Sequence, residues 1–349
     1  MTGDVQRAML PPIAIPDAGR GTAAHFCELD GMRGVLAVTV MLFHYGLSTL
    51  IQRVSFGTLP RSDWGLCVDF FFLLSGFVLC HSYSRRSVSL AEFAWRRAMR
   101  LFPLYLIGTF LALIFVQQRF ERGVIATNLL MLQSALSAPS INFPDWSVPF
   151  EFYLPLIAVA AAPVVRRISI TVAMGLLVVA ISSGCISCVL YEFGANYELL
   201  RAAAGLSAGA LLYRVWSRNG IRHKSAAIAF GGIVGAMLIM ATSQVVPPIA
   251  LLFYPCAIAA IWFGAGARGV FSLSGCQAIG RWSYSIYLLH IPVLAAYETI
   301  TGQALQGAII TKVSLVIFVI AAAGLCYRFL ELPAMNFGRS AQFGPVSAP

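Results

Sequence analysis

Charged residues are scarce in this chain. Only 11% of its 349 residues are Asp, Glu, Lys or Arg, whereas 59% are hydrophobic and the mean hydropathy is +0.80. A soluble protein of this length could not cover its surface with so few polar side chains, so that class is excluded. Apolar stretches close to the ~20 residues needed to cross a bilayer recur along almost the whole chain. The sequence therefore predicts an all-α, polytopic membrane helix bundle.

Several familiar signals are also missing. The first thirty residues contain no apolar core, so we expect 1–30 to be a flexible tail and not a signal peptide. The lone CxxC pair at 185–188 has no second pair or nearby histidine, so no metal is expected. The segment LLSGF around Ser75 lacks the GxSxG spacing of a nucleophile elbow. No stretch leaves room for a soluble domain, which predicts one membrane domain over 31–333 and a C-terminal tail over 334–349.

The positions of the basic residues predict the membrane topology of the chain. Short cytoplasmic loops are enriched in Lys and Arg, and most of the 24 basic residues share one side if both termini are cytoplasmic. Counting 124–136 as a span would reverse all later loops, so we interpret it as re-entrant or interfacial. The net charge of +10 then lies at the inner face and requires no nucleic acid. This topology gives about ten spans, at 34–52, 66–84, 101–118, 148–164, 168–190, 200–214, 225–243, 249–266, 284–300 and 308–327.

Two polar residues share the first apolar segment, GMRGVLAVTVMLFHYGLSTL. Arg33 and His44 are eleven residues apart, which on an α-helix is about three turns and a rise of about 16 Å. Both side chains therefore point the same way from different depths of the bilayer. Such residues are costly in hydrocarbon and need a partner or a water-filled cavity, so a functional role is favoured. An imidazole in a low-dielectric site is expected to be neutral and able to accept a proton, which is general-base chemistry.

Three further polar residues are expected at membrane depth. The carboxylates Asp69 and Glu151 are predicted near the outer ends of neighbouring spans and are expected either to converge with His44 on one polar cavity or to hold helices together. For His290, in SYSIYLLHIPV, a role in the site and a helix-packing hydrogen bond before a proline kink remain equally open.

An arginine cluster follows the second predicted span. Arg97 and Arg100 share a helix face because they are three residues apart, and Arg96 lies beside them. Guanidinium groups bind phosphates bidentately, so one reading is a phosphate site. The other reading is that these arginines set topology and contact anionic lipid headgroups.

In these motifs the sequence resembles acyltransferase family 3, a family of integral membrane enzymes that move acyl groups onto sugars, glycans and some macrolides. Arg33 and His44 match the family's arginine, ten residues, histidine signature, within ELDGMRGVLAVTVMLFHY. Further similar motifs occur in family order: VDFFFLLSGF at 68–77, RRAMRLFPLY at 96–105, WSVPFEFY at 146–153, SYSIYLLHIP at 283–292 and FLELP at 329–333. The resemblance therefore covers nearly the whole predicted membrane domain.

The resemblance implies a role for each matching residue. His44 corresponds to the histidine that activates the acceptor hydroxyl, and Glu151 or Asp69 is expected to assist it as a catalytic carboxylate. The positions linked to the acyl-CoA donor are Arg33, Arg97 and Arg100. We further predict that Trp146 and His290 bind the acceptor.

The function implied is an O-acyltransferase in the bacterial cytoplasmic membrane. Its donor is acyl-CoA, with acetyl as the expected group, and its acceptor is a hydroxyl of a sugar or glycan such as an exported polysaccharide. Polysaccharide biosynthesis proteins are expected partners. The alternative is a transporter or flippase for a lipid-linked sugar, for which the expected inverted repeats are not evident. A non-catalytic scaffold would not explain why Arg33 and His44 share one face of a membrane helix.

Overall fold

The fold is built from helices. The computed structural model describes residues 26–46, 65–83, 88–116, 118–161, 168–194, 197–219, 224–243, 245–305 and 309–341. Within these ranges there is no β-strand, and the α-helices are α1 (Cys27–His44), α2 (Leu66–Tyr83), α3 (Leu90–Phe115), α4 (Arg122–Leu129), α5 (Val148–Ala160), α6 (Ile170–Glu192), α7 (Glu198–Asn219), α8 (Ala226–Thr242), α9 (Phe253–Gly264), α10 (Ser274–Thr301), α11 (Ile309–Cys326) and α12 (Leu332–Ser340). The predicted all-α class is confirmed for the described residues.

Shorter turns connect several of these helices. Three 3-10 turns precede α5, α9 and α10, at Phe143–Ser147, Pro247–Leu252 and Val270–Ser272. A π-helical turn at Tyr327–Glu331 joins α11 directly to α12. Because a π turn contains an extra residue, it turns the side chains of α12 to a new direction relative to α11.

In the part of the chain that the structure describes, five helical segments are long and apolar enough to cross a membrane: α2, α3, α6, Pro247–Gly264 and the continuous Ile309–Ser340. In the most apolar windows of α6 and Ile309–Ser340 only 22% and 11% of the residues are buried, so these helices present apolar side chains outward. In water such a surface would be unfavourable, but lipid accommodates it. The predicted total of about ten spans remains a prediction.

The segment predicted to be re-entrant or interfacial forms α4, which has only eight residues, followed by turns. An eight-residue helix is about 12 Å long, too short to cross the hydrocarbon core. Asn128 folds the segment back on itself: its Nδ2 donates to the Pro139 carbonyl and its Oδ1 accepts from the Ile141 amide, at 2.9 and 3.0 Å. No helical crossing therefore occurs at 124–136, and its placement relative to the bilayer stays a prediction.

The predicted tails lie largely outside the described residues, which begin at 26 and end at 341. The first helix begins at Cys27, seven residues before the first predicted span, so Arg33 lies within α1 and not at its end. The boundary predicted at 333 and 334 falls inside α12. The proposed tail boundaries remain predictions.

The tightest helix contact that concerns the site joins α1 to α10. A Cβ atom on Gly34 would lie 2.6 Å from the Gly280 amide nitrogen, and one on Gly280 would lie 2.2 Å from the Asp30 carbonyl oxygen. Small residues allow such a backbone-to-backbone approach between membrane helices. The contact fixes Arg33 and His44 of α1 against the face of α10 that contains His290.

Replacing Gly34 with alanine tests this contact. The added methyl group would meet backbone atoms of α10, so we expect Gly34→Ala to destabilise the protein by about 1–3 kcal/mol and to lower the midpoint of thermal unfolding in detergent. Gly175→Ala is the matched control, because no atom lies within 4 Å of the Cβ position there. Equal midpoints for the two variants would contradict the close approach.

Candidate active site

A cavity of about 680 Å³ opens between α1, α2, α3, α5, α10 and α12. Its most unusual property is charge, because among the described residues six arginines line it together with two carboxylates, those of Asp30 and Glu151. The arginines are Arg33, Arg96, Arg97, Arg100, Arg281 and Arg339. We call this space the arginine cavity. The three arginines predicted to bind the donor are thus brought together.

The start of α3 sets the direction of its arginines. Ser89 caps the helix by accepting a hydrogen bond from the Glu92 amide at 3.1 Å. One turn later, Glu92 pairs with Arg96 at 2.6 Å. Arg97 and Arg100 then lie on the helix face that lines the cavity, as their spacing predicts.

Two of the arginines are paired inside the cavity. Arg97 is 7% exposed; its Nε donates to the Glu151 carbonyl, and its Nη2 lies 3.8 Å from Glu151 Oε2. Arg33 Nη1 lies 3.9 Å from Asp30 Oδ1. These carboxylates offset part of the repulsion between neighbouring guanidinium groups without neutralising the cavity. Glu151 therefore lies with the arginines, as the counter-ion of Arg97.

The two histidines predicted at membrane depth meet in space. The ring centroids of His44 and His290 are 5.2 Å apart, and the Phe143 ring is 5.8 Å from that of His44. His290 is completely buried; its Nδ1 lies 3.2 Å from the Ile286 carbonyl oxygen. Its Nε2 has no hydrogen-bond partner among the described residues. Both alternatives considered for His290 are therefore present in the structure, a contact within its own helix and a place beside His44.

Tyr287 connects the histidine pair to the arginine cavity. It lines the cavity, and its ring centroid is 6.0 Å from that of His290. Its hydroxyl donates to the Pro144 carbonyl at 2.9 Å and lies 3.1 Å from Ser147 Oγ, which fixes its direction. Tyr287 was not predicted from the sequence, although its position three residues before His290 places both on one face of α10.

Asp69 and Trp146 belong to a different cluster, around Arg201. Arg201 is 1% exposed and donates to both oxygens of the fully buried Asp69 carboxylate, at 2.6 to 3.2 Å. The guanidinium also lies over the rings of Tyr191 and Trp146, 4.2 and 5.1 Å from their centroids. Neither Asp69 nor Trp146 lines the arginine cavity. The ion pair fits the expectation that Asp69 holds helices together, here α2 and α7.

Arg201 was also not predicted from the sequence, although it is a charged residue inside a predicted span.

In the described part of the chain, no three His, Cys, Asp or Glu side chains are grouped so as to bind a metal ion. The expected lack of a metal remains a prediction.

Comparison with known proteins identifies the family. The family model described as "Acyltransferase domain" matches residues 28–328. The chain belongs to acyltransferase family 3. It is therefore an acyltransferase, and its apolar helices make it an integral membrane protein.

Two proteins are similar to this family member. "Acyltransferase MdmB" of Streptomyces mycarofaciens is 26% identical over 369 residues, covering 88% of this chain and 91% of that protein. "Protein 2 in picA locus" of Rhizobium radiobacter is 38% identical over 87 residues, or 24% of this chain and 41% of that protein. No solved structure matches significantly.

The buried ion pair gives a test of how Asp69 acts in this acyltransferase. Removing one member of a buried pair leaves an unpaired charge and costs about 3–5 kcal/mol. We expect Asp69→Asn and Arg201→Gln each to lower the unfolding midpoint in detergent, and the double variant to lose less than the sum of the two. Arg218→Gln, which changes an exposed arginine of α7, is the control. An Asp69→Asn enzyme with normal stability but no transfer would instead restore the catalytic role predicted for Asp69.

Proposed function

We propose that this enzyme transfers an acyl group, with acetyl as the first candidate, from acyl-CoA to a hydroxyl of a sugar or glycan. The observation that carries the proposal is that α1 places Arg33 in the arginine cavity and, eleven residues later, His44 beside His290. The cavity suits a polyanionic donor, and the histidine suits proton transfer from an acceptor. Family membership supports the acyl transfer itself.

The charge of the cavity favours a donor that contains several phosphates. Coenzyme A carries a pyrophosphate and a 3′-phosphate. The planar guanidinium group of arginine binds phosphate oxygens through two parallel hydrogen bonds. In this proposal the pyrophosphate lies between Arg33 and Arg97, and Asp30 and Glu151 keep these two arginines in place.

The length of the donor matches the depth of the site. Arg33 and His44 are separated by a helix rise of about 16 Å. The pantetheine arm is an extended chain about as long as four amino-acid residues, so it spans roughly 13–14 Å. A donor held by its pyrophosphate at Arg33 would therefore place its thioester near His44, past Tyr287.

The reaction then requires one proton carrier. His44 takes the proton of the acceptor hydroxyl while that oxygen attacks the thioester carbonyl carbon, and a C–O bond forms. The tetrahedral intermediate collapses, the C–S bond breaks, and the sulfur of coenzyme A receives the proton from the imidazolium. In this proposal His290, whose ring lies beside that of His44, orients the acceptor. Holding both reactants at one site supplies much of the rate enhancement.

The membrane orientation in this proposal follows from the positions of the arginines. Coenzyme A is made and used in the cytoplasm, so the arginine cavity faces that side of a bacterial cytoplasmic membrane and both termini are cytoplasmic. A glycan acceptor and polysaccharide biosynthesis partners rest on the family resemblance. A flippase would bind a lipid-linked sugar without breaking a thioester, so release of coenzyme A distinguishes the two functions.

Replacing His44 tests the mechanism. Membranes containing the enzyme are incubated with radiolabelled acetyl-CoA and a glycan and lipid extract of the source cells, and labelled product and released coenzyme A are measured. Loss of general-base catalysis costs about 10²–10⁴-fold, so we expect His44→Ala to lower transfer by at least a hundredfold while acetyl-CoA still binds. His223→Ala serves as the control histidine. Near-normal transfer by a well-expressed His44→Ala enzyme would show that His44 is not the base.

A further inference from the structure

Three of the six cavity arginines have no carboxylate partner within the described ranges. Arg33, Arg96 and Arg97 each lie within 4.0 Å of a carboxylate oxygen. Arg100, Arg281 and Arg339 have no such neighbour among the described residues, and all three are exposed. They therefore form an uncompensated positive rim, which we call the mouth of the cavity.

Arg339 reaches the mouth because α12 is held firmly against α3. A Cβ atom on Gly338 would lie 2.8 Å from the side chain of Met99, so the two helices touch closely at this glycine. The rings of Trp95 and Phe337 pack with centroids 5.9 Å apart on the same contact. The π-helical turn before α12 supplies the change of direction that this packing requires.

The other two arginines are also fixed by neighbouring contacts. Arg281 follows Gly280, whose backbone packs on the Asp30 carbonyl of α1. Arg100 Nη1 lies 3.3 Å from Met335 Sδ of α12, and Arg100 is close enough to Arg33 and Arg97 to repel both. Three separate helices thus bring like charges to the lining of one cavity, and their combined positive charge favours the binding of an anion there.

The donor proposed above has one phosphate left for this position. In this proposal the pyrophosphate lies between Arg33 and Arg97, and the pantetheine arm is directed toward His44. The ribose and the 3′-phosphate of coenzyme A then lie on the opposite side of the pyrophosphate, at the mouth of the cavity. A phosphomonoester carries close to two negative charges near pH 7. It is therefore the part of the donor that best matches three unpaired guanidinium groups.

We propose that Arg100, Arg281 and Arg339 form a phosphomonoester subsite that binds the 3′-phosphate of coenzyme A, so that the enzyme selects acyl-CoA over its 3′-dephospho form. This inference rests on the proposed function. Arg281 and Arg339 become specificity residues, and α12 becomes part of the donor site. An anionic lipid headgroup has similar chemistry, but it would not distinguish the two donors.

Ligand binding tests the subsite without knowledge of the acceptor. Acetyl-CoA and 3′-dephospho-acetyl-CoA are titrated by calorimetry into the full-length enzyme in nanodiscs of zwitterionic lipid. We expect the wild type to bind acetyl-CoA at least tenfold more tightly. Arg281→Gln and Arg339→Gln should each weaken acetyl-CoA binding roughly fivefold, because charge-assisted bonds at exposed positions are partly screened. Binding of the dephospho form should not change.

Two further variants complete the test. Arg339→Lys keeps the charge and should recover part of the preference, while Arg218→Gln, an exposed arginine that does not line the cavity, should keep all of it. Equal affinity of the wild type for both ligands, or equal weakening of both in the variants, overturns the subsite and leaves acyl-CoA as donor. Failure of either ligand to bind the wild type overturns the proposed donor as well.

Discussion

The arrangement of the site depends on the close approach of α1 and α10. Gly34 and Gly280 allow backbone to touch backbone, so two long helices with polar side chains lie against each other over several turns. One end of this contact brings Arg33 and Arg281 to the same cavity, and the other brings His44 to His290. Larger residues at the glycines would separate the helices and, with them, the groups that the proposed chemistry requires.

The charged groups of this bundle differ in whether other protein groups neutralise their charge. The Arg201 and Asp69 pair is buried, bidentate and covered by aromatic rings, as a structural ion pair must be. The arginine cavity is different, because its six guanidinium groups greatly outnumber the carboxylates that line it. A charge surplus of this kind is costly for the protein alone, and it indicates a site that is complete only when an anion is present.

Much of this arrangement could be predicted from the sequence, because periodicity and charge are local properties. The helical class, the shared face of Arg33 and His44, the clustering of Arg97 with Arg100 and the family were all predicted, and the class and family are confirmed. The partner of Asp69 and the position of Arg339 in the cavity lining were not predicted, because both depend on contacts between residues far apart in sequence. A π-helical turn and a glycine packed on α3 decide the position of Arg339, and neither can be recognised from spacing alone.

The proposed mechanism requires one continuous path from the arginine cavity to the imidazole of His44. A cryo-electron microscopy structure of the enzyme with a non-reactive thioether analogue of acetyl-CoA measures this directly. We expect the pyrophosphate between Arg33 and Arg97 and the thioether sulfur in contact with the ring of His44. A nucleotide bound outside the arginine cavity, or a sulfur directed away from His44, would contradict the proposed mechanism.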